Sequence, residues 1–204
     1  MAKEILVVKR DALFNSGHFT GFAPLGEMDY LGAIRENAEY RERNDELENN
    51  PAFKQPIPYV WIINPHDGKV FAYKRAKKGY DEERLKDKWS CGLGGHVDKT
   101  DEGDALKAAM NRELREEVTM AEYPVPRVVG FVNFEHGVHA VHFGVVSVAE
   151  AGGPVGKGSE EMAECGFYSI EELESLMSDP RNDFEEWTTA SWPFVKKLAS
   201  GQLV

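Results

Sequence analysis

Three acidic side chains, Glu113, Glu116 and Glu117, fall within five residues of one another, and carboxylates crowded in this way do chemistry with hard cations. At 100° per residue, Leu106, Ala109, Met110, Leu114 and Val118 form one apolar stripe of a predicted helix. Glu113 and Glu117 fall inside that stripe and Glu116 lies at its edge. A helix that only covered a core would carry Leu or Ala there. Like charges at i,i+4 repel, and the negative end of the helix dipole adds to the penalty. A positive partner is therefore expected. Mg²⁺ or Mn²⁺ fits best, because either prefers oxygen ligands and bridges carboxylates to substrate phosphates. The plain alternative is a solvated acidic helix end with an Arg112–Glu116 surface pair. Against it stand the interrupted stripe and the preceding GLGGHV, whose glycines permit a close backbone approach.

The elements that must position these acids alternate along the chain. Glu4–Arg10 reads as a strand, and Tyr30–Asn50 as a highly charged helix ending before Pro51. Ile57–Asn64 and Lys69–Ala76 read as strands joined in a hairpin through Pro65-His66-Asp67-Gly68. Trp89–Val97 is a further strand leading into a helix over Gly103–Thr119. Strands follow at Arg127–Phe134 and Val138–Val148, then a glycine-rich loop over Gly152–Gly158 and a strand near Glu164–Ser169. Ile170–Met177 and Phe184–Leu198 are helical, with Pro193 kinking or splitting the second. Such an order predicts an α/β fold with a mixed β-sheet between helices.

The residues around the acids carry a family resemblance. The segment from Gly95 to Met120 is similar to the Nudix box, G-x5-E-x7-R-E-U-x-E-E-x-G-U with U aliphatic. Arg112-Glu113-Leu114-Arg115-Glu116-Glu117 matches the R-E-U-x-E-E core, and Met120 takes the last aliphatic position. Three departures stand out. Asp104 occupies the place of the first Glu, Thr119 that of the late Gly, and the loop from Gly95 is about three residues longer. The resemblance runs from about Pro58 to Leu176. It implies an α/β/α sandwich in a single domain over 1–204, with 1–50 an N-terminal extension and 51–204 the core. It implies a divalent-metal-dependent hydrolase that cleaves a pyrophosphate bond in a nucleoside diphosphate linked to another moiety. Glu113, Glu116 and Glu117 would hold Mg²⁺ (or Mn²⁺), with Arg112 orienting Glu113 or Glu116. Gly94 and Gly95 would admit the diphosphate, and a further Glu from 160, 161 or 164 is a candidate base beside the box acids. The alternative is a catalytically silent Nudix-fold module that senses a nucleotide, although the full set of box acids argues against it. Dimers are common in the family, which makes the N-terminal segment a candidate homodimer interface.

Other residues divide between site and scaffold. His96 follows Gly95 directly, so it either touches substrate or is a hydrogen-bonded structural histidine. Among Lys74, Arg75, Lys77 and Lys78, either Lys74 or Arg75 is a candidate phosphate ligand, only one of the two facing the site by strand alternation, and a guanidinium matches phosphate geometry; the other role is edge-strand protection. His136, His139 and His142 invite a zinc site, but strand alternation would send His139 and His142 to opposite faces. Two cysteines without zinc or CxxC spacing, Cys91 and Cys165, suit reduced structural thiols and a cytoplasmic setting. A net charge of −11 argues against a nucleic-acid polymer as partner. No apolar run reaches membrane-span length, and the first ten residues lack a signal-peptide core. The expected partner is a small nucleotide-type substrate.

Overall fold

A computed structural model describes residues 3–76 and 86–203 of the chain. In chain order the elements are β1 (Glu4–Lys9), α1 (Arg10–Leu13), β2 (Gly21–Pro24), α2 (Tyr30–Asn37), β3 (Ala38–Glu42), α3 (Asp45–Glu48), β4 (Phe53–Ile63) and β5 (Val70–Arg75). There follow β6 (Trp89–Ser90), β7 (Gly92–Leu93), α4 (Ala105–Glu117), β8 (Val118–Thr119), β9 (Arg127–Asn133), β10 (His142–Glu150), β11 (Gly156–Lys157), β12 (Met162–Tyr168), α5 (Ile170–Ser178) and α6 (Glu186–Ala199). Among the described residues no helix is long and apolar enough to cross a membrane.

The chain divides into two compact units. The first comprises Met1–Tyr59, Gly94–Met110 and Val128–Ser147, the second Val60–Leu93, Asn111–Arg127 and Val148–Val204. In the first, β1 pairs antiparallel with β3 and with the start of β4, and β2 pairs antiparallel with β9. Its core is aromatic: Tyr30 lies 5.1 Å from Phe131 and 5.4 Å from Phe143, ring centre to ring centre, with Phe14 and Phe19 packed on the same group. In the second, β12 pairs antiparallel with β5, and β6 and β7 pair with β5 and β4. Here Trp61 stacks on Trp192, and Val60, Ile62, Phe71, Tyr73, Leu114 and Val118 are closed to solvent.

Three expectations need correction. Tyr30–Asn50 is not one helix, because Ala38–Glu42 is a strand in register with β1, from Glu4↔Glu42 to Val8↔Ala38. Ladder hydrogen bonds to β1 outweigh the helix preference of a charged run, and Ala38 and Tyr40 alternate with exposed neighbours as a strand requires. Trp89–Val97 is not a continuous strand either: two short strands flank Cys91, and Gly94–Val97 is irregular. Finally, Gly137–Ala140 forms a 3₁₀ turn, so β10 begins only at His142. The Pro65–Gly68 turn forms as expected, with Asn64 N–H donating to the Lys69 carbonyl at 2.8 Å and Gly68 at φ +67°. α6 continues through Pro193 without a break in the helix.

Candidate active site

The apolar stripe of α4 is buried as its spacing predicts: Ala109 and Leu114 are fully shielded, Met110 and Leu106 nearly so, and Val118, which opens β8, is fully shielded too. Glu113, inside the stripe, is only 7% exposed, whereas the Glu116 side chain is 57% exposed. Arg112 joins them. Its Nη1 donates to Glu113 Oε1 at 2.6 Å and to Glu116 Oε2 at 3.2 Å. One guanidinium thus contacts two of the three carboxylates: i,i+4 spacing sets Glu116 beside it, whereas Glu113, its chain neighbour, is met through the length of the two side chains. The second arginine of the segment is used differently. Arg115 lies over the Tyr123 ring at 4.5 Å, and Tyr123 Oη donates to the Val118 carbonyl at 2.9 Å.

Both departures around this helix acquire a structural role. Asp104 caps the N-terminus: its Oδ1 accepts from Lys107 N–H at 3.3 Å, and Arg35 and Lys107 lie 3.9 and 3.7 Å from its other oxygen. At the other end, Thr119 continues as extended chain in β8, paired with Gly156 of β11. Gly158 N–H donates to the Glu117 carbonyl at 3.0 Å, which satisfies a helix-end acceptor without an αL glycine. A Cβ on Gly158 would stand 2.8 Å from Val118 N and 2.9 Å from Glu117 C, so the glycine is required by proximity. The glycine-rich segment was expected to be loop; its Gly156–Lys157 part is strand.

The remaining candidates have other engagements. Arg75 is buried, and its Nε donates to Glu185, which also accepts from Ser90 Oγ at 2.8 Å. This pair anchors the start of α6, where Cys91 N–H donates to Thr188 Oγ1 at 3.1 Å. The Arg75 charge is thus compensated within the second unit. Lys77 and Lys78 lie outside the described residues. Gly94 serves a close approach of another kind, since a Cβ there would sit 1.7 Å from the Pro58 carbonyl oxygen of β4. Of the further acids, Glu160 is fully exposed beside Lys157 at 3.2 Å, and Glu164 is registered opposite Lys74 on β5. Both cysteines are free thiols, and burial pushes the Cys91 thiol well up.

In the first unit, His96 Nε2 is 2.6 Å from Gln55 Oε1, and its ring is 5.5 Å from that of His142. Burial holds His142 down at about 4, against the opposing pull of Glu48. His136 and His139 do not alternate along a strand; His139 lies in the 3₁₀ turn, and its ring is 5.7 Å from that of His136 just before the turn. Sequence reasoning passed over a charged group close by. Lys54 is fully buried, its Nζ donating to the carbonyls of Phe134 and His139 at 3.2 and 3.1 Å and lying 3.5 Å from Glu135. Burial lowers Lys54 to about 8. Burial would raise Glu135, but hydrogen bonds from Arg10, His18 and Asn133, with the Lys54 charge, hold it at about 2.

With this geometry in place, likeness to known proteins becomes informative. The NUDIX domain model matches residues 54–189. Protein YmaB of Bacillus subtilis (strain 168) is 34% identical over 200 residues, spanning 92% of this chain and 95% of that protein. The chain belongs to the Nudix family. Tm1382, described with its crystal structure as a candidate Nudix hydrolase, superposes with a TM-score of 0.71 at 28% identity, covering 96% of this chain and 99% of its own. The bifunctional NMN adenylyltransferase/ADP ribose pyrophosphatase from Francisella tularensis, complexed with AMP and a manganese ion, shares the fold alone. Its TM-score is 0.51 at 13% identity over 72% of this chain and 42% of that one. The α/β class, with a mixed sheet and helices, is that of Nudix neighbours, and family and fold support a Nudix hydrolase in general.

Proposed function

We propose that this Nudix protein is a divalent-metal-dependent hydrolase acting on a pyrophosphate bond in a nucleoside diphosphate linked to another moiety. The observation that carries this reading is the Arg112 bridge between buried Glu113 and exposed Glu116. The donor set suits a hard cation: three carboxylates on one helix end, two of them held by a single guanidinium, with no sulfur or imidazole among them. Glu113, Glu116 and Glu117 would hold Mg²⁺ or Mn²⁺. Such an ion supplies charge neutralisation on the pyrophosphate oxygens and acidifies the attacking water.

The chain's own residues supply orientation and proton transfer. Arg112 positions Glu113 and Glu116, so the rotamer freedom of two long acids is restricted before substrate arrives. Water attacks phosphorus, the anhydride P–O bond breaks, and the water proton passes to a carboxylate oxygen. That base is a box glutamate or one of Glu160, Glu161 and Glu164. Glu→Gln variants at each position separate the two sets by their pH profiles.

The test is phosphate or nucleotide release from nucleotide sugars, dinucleotides, nucleoside triphosphates and coenzymes with Mg²⁺ or Mn²⁺. Metal-dependent release in the wild type and its loss in E116Q and E117Q are expected. Unchanged hydrolysis in both variants would remove the site. Tight nucleotide binding without any release in metal-replete protein would favour the sensor function instead.

A further inference from the structure

We propose that Glu48, His96 and His142 form a binding site for a divalent transition metal, zinc by the chemistry of its donors. Each offers one ligand atom, and the three atoms lie within 4.8 Å of one another. Zinc bonds of about 2.0–2.2 Å put neighbouring donors roughly 3–3.5 Å apart, so small side-chain movements close the set. Two imidazoles and a carboxylate are the donors of a three-ligand zinc site with a fourth position open to water. Imidazole nitrogen is a poor match for Mg²⁺, which separates this group chemically from the all-carboxylate set on α4.

The individual contacts favour a bound ion over a simple ion pair. Glu48 is already anchored, because its Oε1 accepts from Arg43 Nε at 2.6 Å. Its other oxygen lies 3.9 Å from His142 Nε2, too far for a hydrogen bond. His142 Nε2 is closed to solvent and has no hydrogen-bond partner, a state that buried polar atoms avoid. An ion between the two accounts for both the gap and the orphaned nitrogen. His96 Nε2 lies 2.6 Å from Gln55 Oε1, an outer partner of the kind that orients ligating histidines. The three donors come from α3, the segment after β7 and the start of β10, so one ion would tie three parts of the first unit together.

Chelator-stripped, full-length protein titrated with Zn²⁺, and in parallel with Co²⁺ read by its visible absorption, tests this site. One zinc per chain is expected in a site that survives in the E116Q/E117Q double variant. E48Q and H142Q should each weaken binding tenfold or more, and Co²⁺ should show a low-coordinate spectrum that both variants lose. Zn²⁺ should also raise Tm in the wild type but not in E48Q. Where H142Q does not fold, E48Q decides, since Glu48 is partly exposed on a short helix. Failure of the folded wild type to take up Zn²⁺ overturns the proposal. So does uptake unaffected by E48Q, or uptake lost only with the α4 carboxylates. None of these outcomes depends on hydrolysis, so the proposal can fail without touching the enzymatic one.

Discussion

Arg112 on α4 and Lys54 on β4 both hold glutamates by charge, yet they do so over very different distances along the chain. Arg112 reaches Glu113 and Glu116, one and four residues away, and the Glu116 end of the arrangement is open to water. Lys54 is sealed off and meets Glu135 together with Arg10, His18 and Asn133, groups spread over 126 positions. The local arrangement leaves the Glu116 carboxylate exposed. The long-range arrangement consumes its charges internally, where a buried ammonium is tolerated only with hydrogen-bond partners. A charged cluster of the first kind is suited to chemistry, and one of the second kind to specifying how distant strands meet.

Mutations can break this contrast. Glu113→Gln should have the largest effect on activity, lowering kcat by roughly a hundredfold or more, as expected for an ion-binding group. Its effect on urea unfolding should be much smaller. Glu135→Gln should do the reverse, costing about 2–3 kcal/mol of stability by removing the counter-charge of buried Lys54, with little change in kcat for a folded sample. Equal losses of activity in the two variants would erase the distinction. Next comes Gly158→Ala, expected to cost about 1–2 kcal/mol, because the added Cβ meets the backbone at the end of α4. Thr119→Gly should be the mildest of the four: about 0.5–1 kcal/mol is lost from a paired strand residue, and nothing is gained as a helix cap. A stabilising Thr119→Gly would mean that α4 ends through a glycine turn after all.

Proton titration sharpens the same comparison. Glu135 is held at about 2, below its ordinary 4.5, so its contribution is complete above pH 4.5 and fades as pH falls toward 2. Lys54, lowered to about 8, carries a penalty while charged. Between about pH 8 and 10.5 the unfolded chain binds the extra proton, so stability rises with pH in that window. Urea midpoints across both windows should show these slopes in the wild type and lose the alkaline one in Lys54→Met.

Much of the candidate site was legible because its residues interact along one helix. The helical period placed Leu114 and Val118 in the core, and the glutamates that interrupt that stripe marked a cost in need of compensation. The Arg112–Glu116 half of the bridge follows from i,i+4 geometry, which requires no knowledge of the rest of the fold, whereas the Arg112–Glu113 contact does not. Arg75 shows the limit of such reasoning. Strand alternation says that a residue points to one face, but only packing brings Glu185, 110 positions away, to meet it.

Sequence alone therefore determined the box helix, its buried and ionisable faces, most strands and the α/β class, because these depend on periods of 3.6 and 2 residues and on local turn chemistry. Tertiary structure decided what pairing decides. It turned Ala38–Glu42 into a strand against β1 and ended α4 through β8 and β11 instead of a glycine cap. It also gathered Glu48, His96 and His142 from three separate segments. The physical reason is range: side-chain spacing encodes what neighbouring turns and alternate residues do, whereas ladder register and the convergence of distant charges arise only when the chain closes on itself.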